Sequence, residues 1–349
     1  MNAKRGPADT ACATLSLDVH GGDHGLGIIL PAAIQALQVD PQLRIILVGQ
    51  QDSIETALGK ARMDCGSRLS LRHAPDRLAA DAKPGEVLRR GQNSSMWRAL
   101  QLVADGEAGA CVSAGSTAAL MTLGVKLIGM LPGIQRPALM ARVPDARGHT
   151  SMLDLGANLA VSARQLVQFG VMGAVTAQVA DGINRPRVGL LNVGHEDSKG
   201  HEVVRAAHQQ LKELPLNYVG FIEGHDLFSG NIDVAVCDGF VGNLILKSSE
   251  GLARLLLSEL RHALGSNTRS RLAAWLAGPA LQGLLAHLDP STHNGAPLLG
   301  LNGVVLKSHG NADRNAMTRA IVEGGNEARR GVPEKIAASI RAFQLEMEA

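Results

Sequence analysis

The chain has 349 residues, 45% of them hydrophobic and 19% charged, enough for a large core. Aromatic residues make up only 2% and the formal charge is +2, with no dense Lys/Arg block, which excludes base-stacking and duplex-binding nucleic-acid proteins. The four cysteines, Cys12, Cys65, Cys111 and Cys237, lie far apart without a CxxC pair, so zinc spacing is absent and a reducing, cytoplasmic setting fits.

In chain order, residues 1–13 read as a loose tail without the apolar core of a signal peptide. Residues 14–349 read as one α/β domain, and no stretch reaches the length of a membrane-spanning helix. One arrangement then recurs six times: an apolar run ends in a polar residue and glycine, and a helical pattern often follows. It appears as LSLDVHGGD (15–23), ACVSAGST (110–117), SMLDLGAN (151–158), GLLNVGHED (189–197), VAVCDGFVGN (234–243) and GVVLKSHGN (303–311). Each reads as a buried strand, a sharp turn and a helix start.

Helical patterns lie between them. IILPAAIQAL leads into the strand LRIILVG, and SSMWRALQLVADG carries apolar residues at helical spacing. LILKSSEGLARLLLSELRHAL is long and amphipathic, and opens a helical protrusion at about 250–290. TRAIVEGGNEARR and PEKIAASIRAF close the chain as surface helices. Strands alternating with helices imply a three-layer α/β/α domain with a mostly parallel sheet. Ligands bind beyond the carboxyl ends of such strands, so the six polar turns are expected along one edge. Asp238 then ends a strand, and Asn243 caps the helix that follows.

His20-Gly-Gly-Asp-His24 invites a metal reading, but two glycines disfavour the helix that would align both histidines. No metal site is expected. A nicotinamide-dependent dehydrogenase lacks support, since no GxGxxG follows a strand. Cys111 and Cys237 sit inside apolar runs and read as core thiols.

Taken together, the turns resemble the PlsX family, the phosphate acyltransferases of bacterial phospholipid synthesis. The resemblance runs from about Leu15 to Phe343 and is most specific in GFIEGHDLFSGNIDVAVCDGFVGNLILKSSEG (220–251) and HNGAPLLGLNGVVLKSHGNA (293–312). It implies a fold similar to phosphotransacetylases and isocitrate/isopropylmalate dehydrogenases. It further implies transfer of a long-chain acyl group from acyl carrier protein to inorganic phosphate. Acyl phosphate would go on to a glycerol-3-phosphate acyltransferase. The resemblance also implies a homodimer, peripheral membrane contact in the cytoplasm, and no organic cofactor.

That chemistry needs an anion held beside a thioester carbonyl, so positioning and electrostatic stabilisation should dominate. Ser113, Gly115, Ser116, Thr117, Gly21, Gly22 and Asn243 are the phosphate-binding candidates. Lys307, His309, Asp238 and Lys199 are the catalytic candidates, with His309 as proton donor to the leaving thiolate or hydrogen-bond donor to phosphate. Asp18, Asp23 and Asp154 are supporting carboxylates that orient a cation or hold loop amides. Leu272, Trp275, Leu276, Leu284 and Leu285 form an apolar stripe for a membrane or dimer contact, broken at Gly278-Pro279. Arg254, Arg261, Arg269 and Arg271 are the candidate basic rim for the acidic carrier protein.

Besides the family's acidic pair after the strand 189–193, which here reads His195-Glu196-Asp197, the chain departs from the family pattern at four residues. His20 stands where Asp-Ala-Met-Gly-Gly-Asp has methionine. Ser116 and Ala118 replace the asparagine and last glycine of Ser-Ala-Gly-Asn-Thr-Gly, and Ala160 replaces an aspartate. Ser116 can still cap a helix. An active variant is the leading expectation; a variant with altered substrate preference, and a degenerate homologue serving as a membrane or carrier-protein binding module, are the alternatives.

Overall fold

The computed structural model describes residues 12–59, 66–79, 81–278, 281, 283 and 294–348. Among them the strands are β1 (Ala13–Asp18), β2 (Leu43–Gly49), β3 (Leu69–His73), β4 (Ala110–Ser113), β5 (Ala138–Asp145), β6 (Gly148–Leu153), β7 (Val188–Leu191), β8 (Tyr218–Ile222), β9 (Val234–Val236), β10 (Ala296–Leu299) and β11 (Val304–Lys307). The helices that position the site are α1 (Leu26–Val39), α2 (Gln51–Leu58), α3 (Pro84–Arg90), α4 (Ser95–Ala104) and α5 (Thr117–Leu127), then α6 (Ala163–Ala180), α7 (Glu202–Glu213), α8 (Gly239–Gly265), α9 (Thr268–Leu276), α10 (Arg314–Arg330) and α11 (Val332–Glu348). All six polar turns end a strand. Helices α5 and α8 follow the second and fifth of them directly.

The described strands form one eleven-stranded sheet in the order β3-β2-β1-β4-β11-β10-β5-β6-β9-β7-β8. Strands β3, β2, β1, β4 and β11 are mutually parallel. So are β6, β9, β7 and β8. Between the two groups, β10 is antiparallel to both β11 and β5, and β5 is antiparallel to β6. Three reversals leave the two groups running in opposite senses.

That overturns the single edge. The turns after Asp18, Ser113 and Lys307 share one edge. Those after Leu153, Leu191 and Val236 belong to strands of the opposite sense. The reversal is carried by the β5–β6 hairpin and by β10, whose pairing partner β5 is distant in sequence.

Helix α10 is a second correction. It is not a surface helix: Met317, Ala320, Ile321, Gly324 and Gly325 are buried. A Cβ at Gly324 would press on Leu15 and Val112, and one at Gly325 on Leu43, so the two glycines let the helix lie close on the sheet. Its low hydrophobicity reflects four arginines and two glutamates, while its buried face is built mostly of small residues, which pack as tightly as large ones. Helix α11 does keep one buried stripe, Val332, Ile336 and Ile340.

The cap of α8 is Asp238, whose Oδ1 accepts from the Val241 amide at 2.8 Å. Asn243, expected as the cap, lies inside the helix. The first turn of α8 presses on loop 154–158. A Cβ on Gly242 would overlap the Asp154 carbonyl oxygen, and one on Gly239 would meet the Asn158 carbonyl oxygen and the Asp154 carboxylate. Alanine is the better helix former by about 1 kcal/mol. Gly242→Ala is nevertheless expected to destabilise the fold by about 3 kcal/mol through overpacking, read by urea denaturation. A neutral or stabilising result would remove this explanation of the glycine.

Candidate active site

The last residues of β1, β4 and β11 stand side by side, because Leu17 pairs with Val112 and Lys307 with Ser113. Beyond them opens a cavity of about 280 Å³. Its walls come from Asp18, His20, Gly21, Gly22 and Asp23 after β1, from Gly115, Ser116 and Thr117 after β4, from Lys307, and from Arg77 and Ser95.

Asp18 is almost fully buried and organises one wall. Its Oδ1 accepts from Ser95 Oγ at 2.5 Å and from the His20 amide at 3.2 Å. Its Oδ2 accepts from Ser113 Oγ at 2.7 Å, and that hydroxyl oxygen accepts from the Gly115 amide at 3.0 Å. The carboxylate therefore shapes the turn that ends at α5, and Ser113 acts from behind the cavity wall. A Cβ on Gly21 would lie 2.7 Å from the Gly115 nitrogen. Gly22 has φ +76°, beside the Gly310 carbonyl. The Asp23 amide donates to that carbonyl at 2.8 Å, joining the β1 and β11 turns.

Ser116 occupies the cap position of α5, but its hydroxyl makes no capping bond. The first-turn amides are therefore open to an anion, and the helix dipole adds to the attraction. Lys307 faces the same space. Its ammonium donates to the Ala114 carbonyl at 3.4 Å and contacts the Ser308 carbonyl. Burial first, and then the neighbouring Lys247, push Lys307 down to about 8, while Asp23 opposes the shift.

A second cleft of about 130 Å³ adjoins the first and shares Thr117 and Lys307 with it. Leu139, Ala141, Leu155 and Leu246 give it apolar walls, and Asn243, Lys247, Asn294 and His309 are its polar groups. Asn294 Oδ1 accepts from the His309 amide at 3.0 Å, fixing the turn. His309 Nε2 lies 3.7 Å from Glu250 Oε1, and burial lowers its pKa, which favours the neutral ring. Glu250, only 6% exposed, also meets Lys247 at 3.0 Å and Arg254 at 3.2 Å. Helix α8 thus starts beside the second strand group and carries its cations to the first.

The structure therefore gathers Asp18, Gly21, Gly22, Asp23, Gly115, Ser116, Thr117 and Lys307 around the cavity, and Asn243 and His309 around the cleft. It does not bring Lys199, Asp238 or Asp154 to either. Lys199 is exposed on the loop after β7. Asp154 is buried and accepts from the Leu139, Ala157 and Asn158 amides and from the Asn158 side chain, so it holds loop amides. Burial raises its pKa, against those bonds. Of the four departures, His20 and Ser116 line the cavity, Ala118 lies in the first turn of α5, and Ala160 is exposed. Cys111 and Cys237 are buried thiols, Cys111 pushed up to about 12, which disfavours thiolate chemistry. Cys65 lies outside the described residues, as do Leu284 and Leu285, whereas Leu272, Trp275 and Leu276 are exposed on α9.

Arg77, Ser95, Lys247, Glu250 and Asn294 were not legible as site residues. Lys247, Glu250 and Arg254 have the spacing of a solvated helix ladder, and only the fold shows that the acid at its centre is buried.

Residues 13–335 match the family described as "Fatty acid synthesis protein". The chain belongs to this family, PlsX. It is 49% identical over 327 residues to the phosphate acyltransferase of Alkalilimnicola ehrlichii, covering 94% of this chain and 96% of that one. It is 48% identical to that of Halorhodospira halophila, covering 95% and 97%. Among solved structures, a phosphotransacetylase from Streptococcus pyogenes aligns with TM-score 0.61 at 17% identity, covering 91% of this chain and 94% of that one. The EutD phosphotransacetylase from Staphylococcus aureus aligns with TM-score 0.59 at 16% identity over the same shares. At such identities the likeness is of fold. With its family established, this PlsX chain is a phosphate acyltransferase.

Proposed function

We propose that the enzyme transfers a long-chain acyl group from the thioester of acyl carrier protein to inorganic phosphate, releasing acyl phosphate and the carrier thiol. The observation that carries this reading is Lys307, which stands on the boundary of an anion-suited cavity and an apolar-walled cleft. Phosphate occupies the first, against the α5 amides and the ammonium. The thioester enters through the second.

Near neutral pH phosphate already carries an ionised oxygen, so no strong base is required. That oxygen attacks the carbonyl carbon, the carbonyl electrons move to an oxyanion, and their return breaks the C–S bond. The leaving thiolate then takes a proton. Lys307, at about 8, matches the proton affinity of a thiol, near 8.5, better than the neutral His309 does. His309 serves as a hydrogen-bond donor on the cleft side.

Leu272, Trp275 (75% exposed) and Leu276 on α9, with Leu252, Leu255 and Leu256 on α8, offer apolar surface for a membrane interface or a second copy. No helix among the described residues is long and apolar enough to cross a membrane. Arg254, Arg261, Arg269 and Arg271 suit the acidic carrier protein. We place the enzyme in the cytoplasm, supplying acyl phosphate to a glycerol-3-phosphate acyltransferase.

The test is release of carrier thiol from palmitoyl-acyl carrier protein with and without inorganic phosphate. Release that requires phosphate is expected. No release by folded protein that still binds the carrier would overturn the reading in favour of a binding module.

A further inference from the structure

His20 lines the anion-suited cavity, yet it has had no part in the chemistry so far. Its ring is seated against Gly49, where a Cβ would come within 2.8 Å of Nε2 and 2.9 Å of Cδ2. On that side Nε2 accepts a hydrogen bond from the Gln50 amide at 3.0 Å. An amide N–H needs a lone pair to point at, so the neutral ring must carry its proton on Nδ1. Among the described residues Nδ1 has no protein partner. The backbone thus fixes both the seat and the tautomer, and leaves one donor unused on a residue that lines the cavity.

We propose that His20 is a further substrate-binding residue, whose Nδ1–H donates a hydrogen bond to the phosphate oxyanion in the cavity. The inference rests on the phosphate reading of that cavity. Burial, with Arg77 adding to it and Asp18 opposing, lowers the His20 pKa and keeps the ring neutral. A neutral donor adds a directed hydrogen bond without a further cation beside Arg77 and Lys307. The Asp18 carboxylate accepts from the His20 amide, so the same acid holds the histidine backbone and the Ser113 hydroxyl. Because the bond forms with phosphate before reaction, its loss should appear mainly in KM for phosphate.

The test uses the full chain labelled with 15N-histidine and a long-range 1H–15N spectrum, with the His20 signals identified by their loss in His20→Met. The expected spectrum shows the Nδ1-protonated tautomer, and inorganic phosphate moves that signal. In kinetics, His20→Met should raise KM for phosphate roughly three- to tenfold with kcat nearly unchanged. His20→Gln, which keeps an acceptor for Gln50 and a donor for the anion, should recover part of the loss. An Nε2-protonated ring, or calorimetric phosphate binding that leaves the His20 signal unmoved, would overturn the inference while sparing the cavity. Failure of the wild-type enzyme to bind phosphate would overturn the reading of the cavity, and the inference with it.

Discussion

Lys307→Ala is expected to lower phosphate-dependent release of the carrier thiol by about 10²–10³-fold, since it removes both the cation beside phosphate and the proton donor to the leaving thiolate. The size follows from position. Lys307 is the cation that borders both the cavity and the cleft, at the end of β11 beside Ser113. The pH dependence gives a sharper check. With its pKa pushed down to about 8, Lys307 is charged below that pH and loses its proton above it. Wild-type kcat/KM for phosphate should therefore fall as pH rises through about 8, since this parameter reports the unliganded enzyme. Lys307→Arg stays charged throughout, so whatever activity it retains should lose that alkaline limb. The same burial that tunes the lysine works against folding. Lys307→Met is expected to match or exceed the wild-type Tm while losing activity, a separation that ordinary unfolding cannot produce. An alkaline limb unchanged in Lys307→Arg would assign the titration to another group.

Glu327→Gln should reshape the pH dependence of stability. Glu327 lies on α10, 2% exposed, close to Glu323, Asp181, Arg142 and Arg330. Arg142 is already committed to Asp181 at 2.8 Å and Glu323 at 3.0 Å. Burial first, and then Glu323, raise Glu327 to about 8, so it is largely protonated in the folded enzyme at neutral pH. Unfolded, it titrates near 4.5. Between these values the folded state binds more protons than the unfolded state, so this group's contribution falls as pH rises from about 4.5 to about 8, and levels off above. The whole loss is on the order of 5 kcal/mol. Glutamine has the shape of the protonated acid and no proton to release. Glu327→Gln should match the wild type near the acid end of that window and exceed it clearly at about pH 9, in unfolding midpoints measured across the range. Parallel wild-type and variant curves would show that Glu327 ionises without cost.

The elements of the fold were legible because the strand-turn-helix pattern is local. Every polar-glycine turn marks a real strand end. The opposite senses of the two strand groups were not legible, because two local antiparallel pairings, β5 with β6 and β10 with β11, reverse the sheet only when Leu298 pairs with the distant Leu139. This one feature explains why Lys199, Asp154 and Asp238, each on a turn of the same type as Lys307, fall away from the cavity. The burial of the helix at 314–330 was not legible for a different reason: its arginines and glutamates mask a face of small residues, whose Gly324 and Gly325 lie against Leu15, Val112 and Leu43.

The site was half legible. HGGD, SAGST and LKSHG are loops whose glycines and helix starts announce an anion. Ser95, which donates to Asp18, opens an ordinary amphipathic helix, and Arg77 lies in a segment with no motif. The spacing of Lys247, Glu250 and Arg254 is that of a surface charge ladder, and only the packing shows Glu250 buried beside His309.

The central claim is that phosphate itself attacks the thioester carbon. The most direct measurement uses inorganic phosphate labelled with 18O at all four oxygens and palmitoyl-acyl carrier protein, with mass spectrometry of the acyl product. Acyl phosphate that retains every labelled oxygen, the bridging one included, is expected, formed in step with free carrier thiol. Unlabelled palmitate appearing with the thiol at the same rate, and no acyl phosphate, would contradict it.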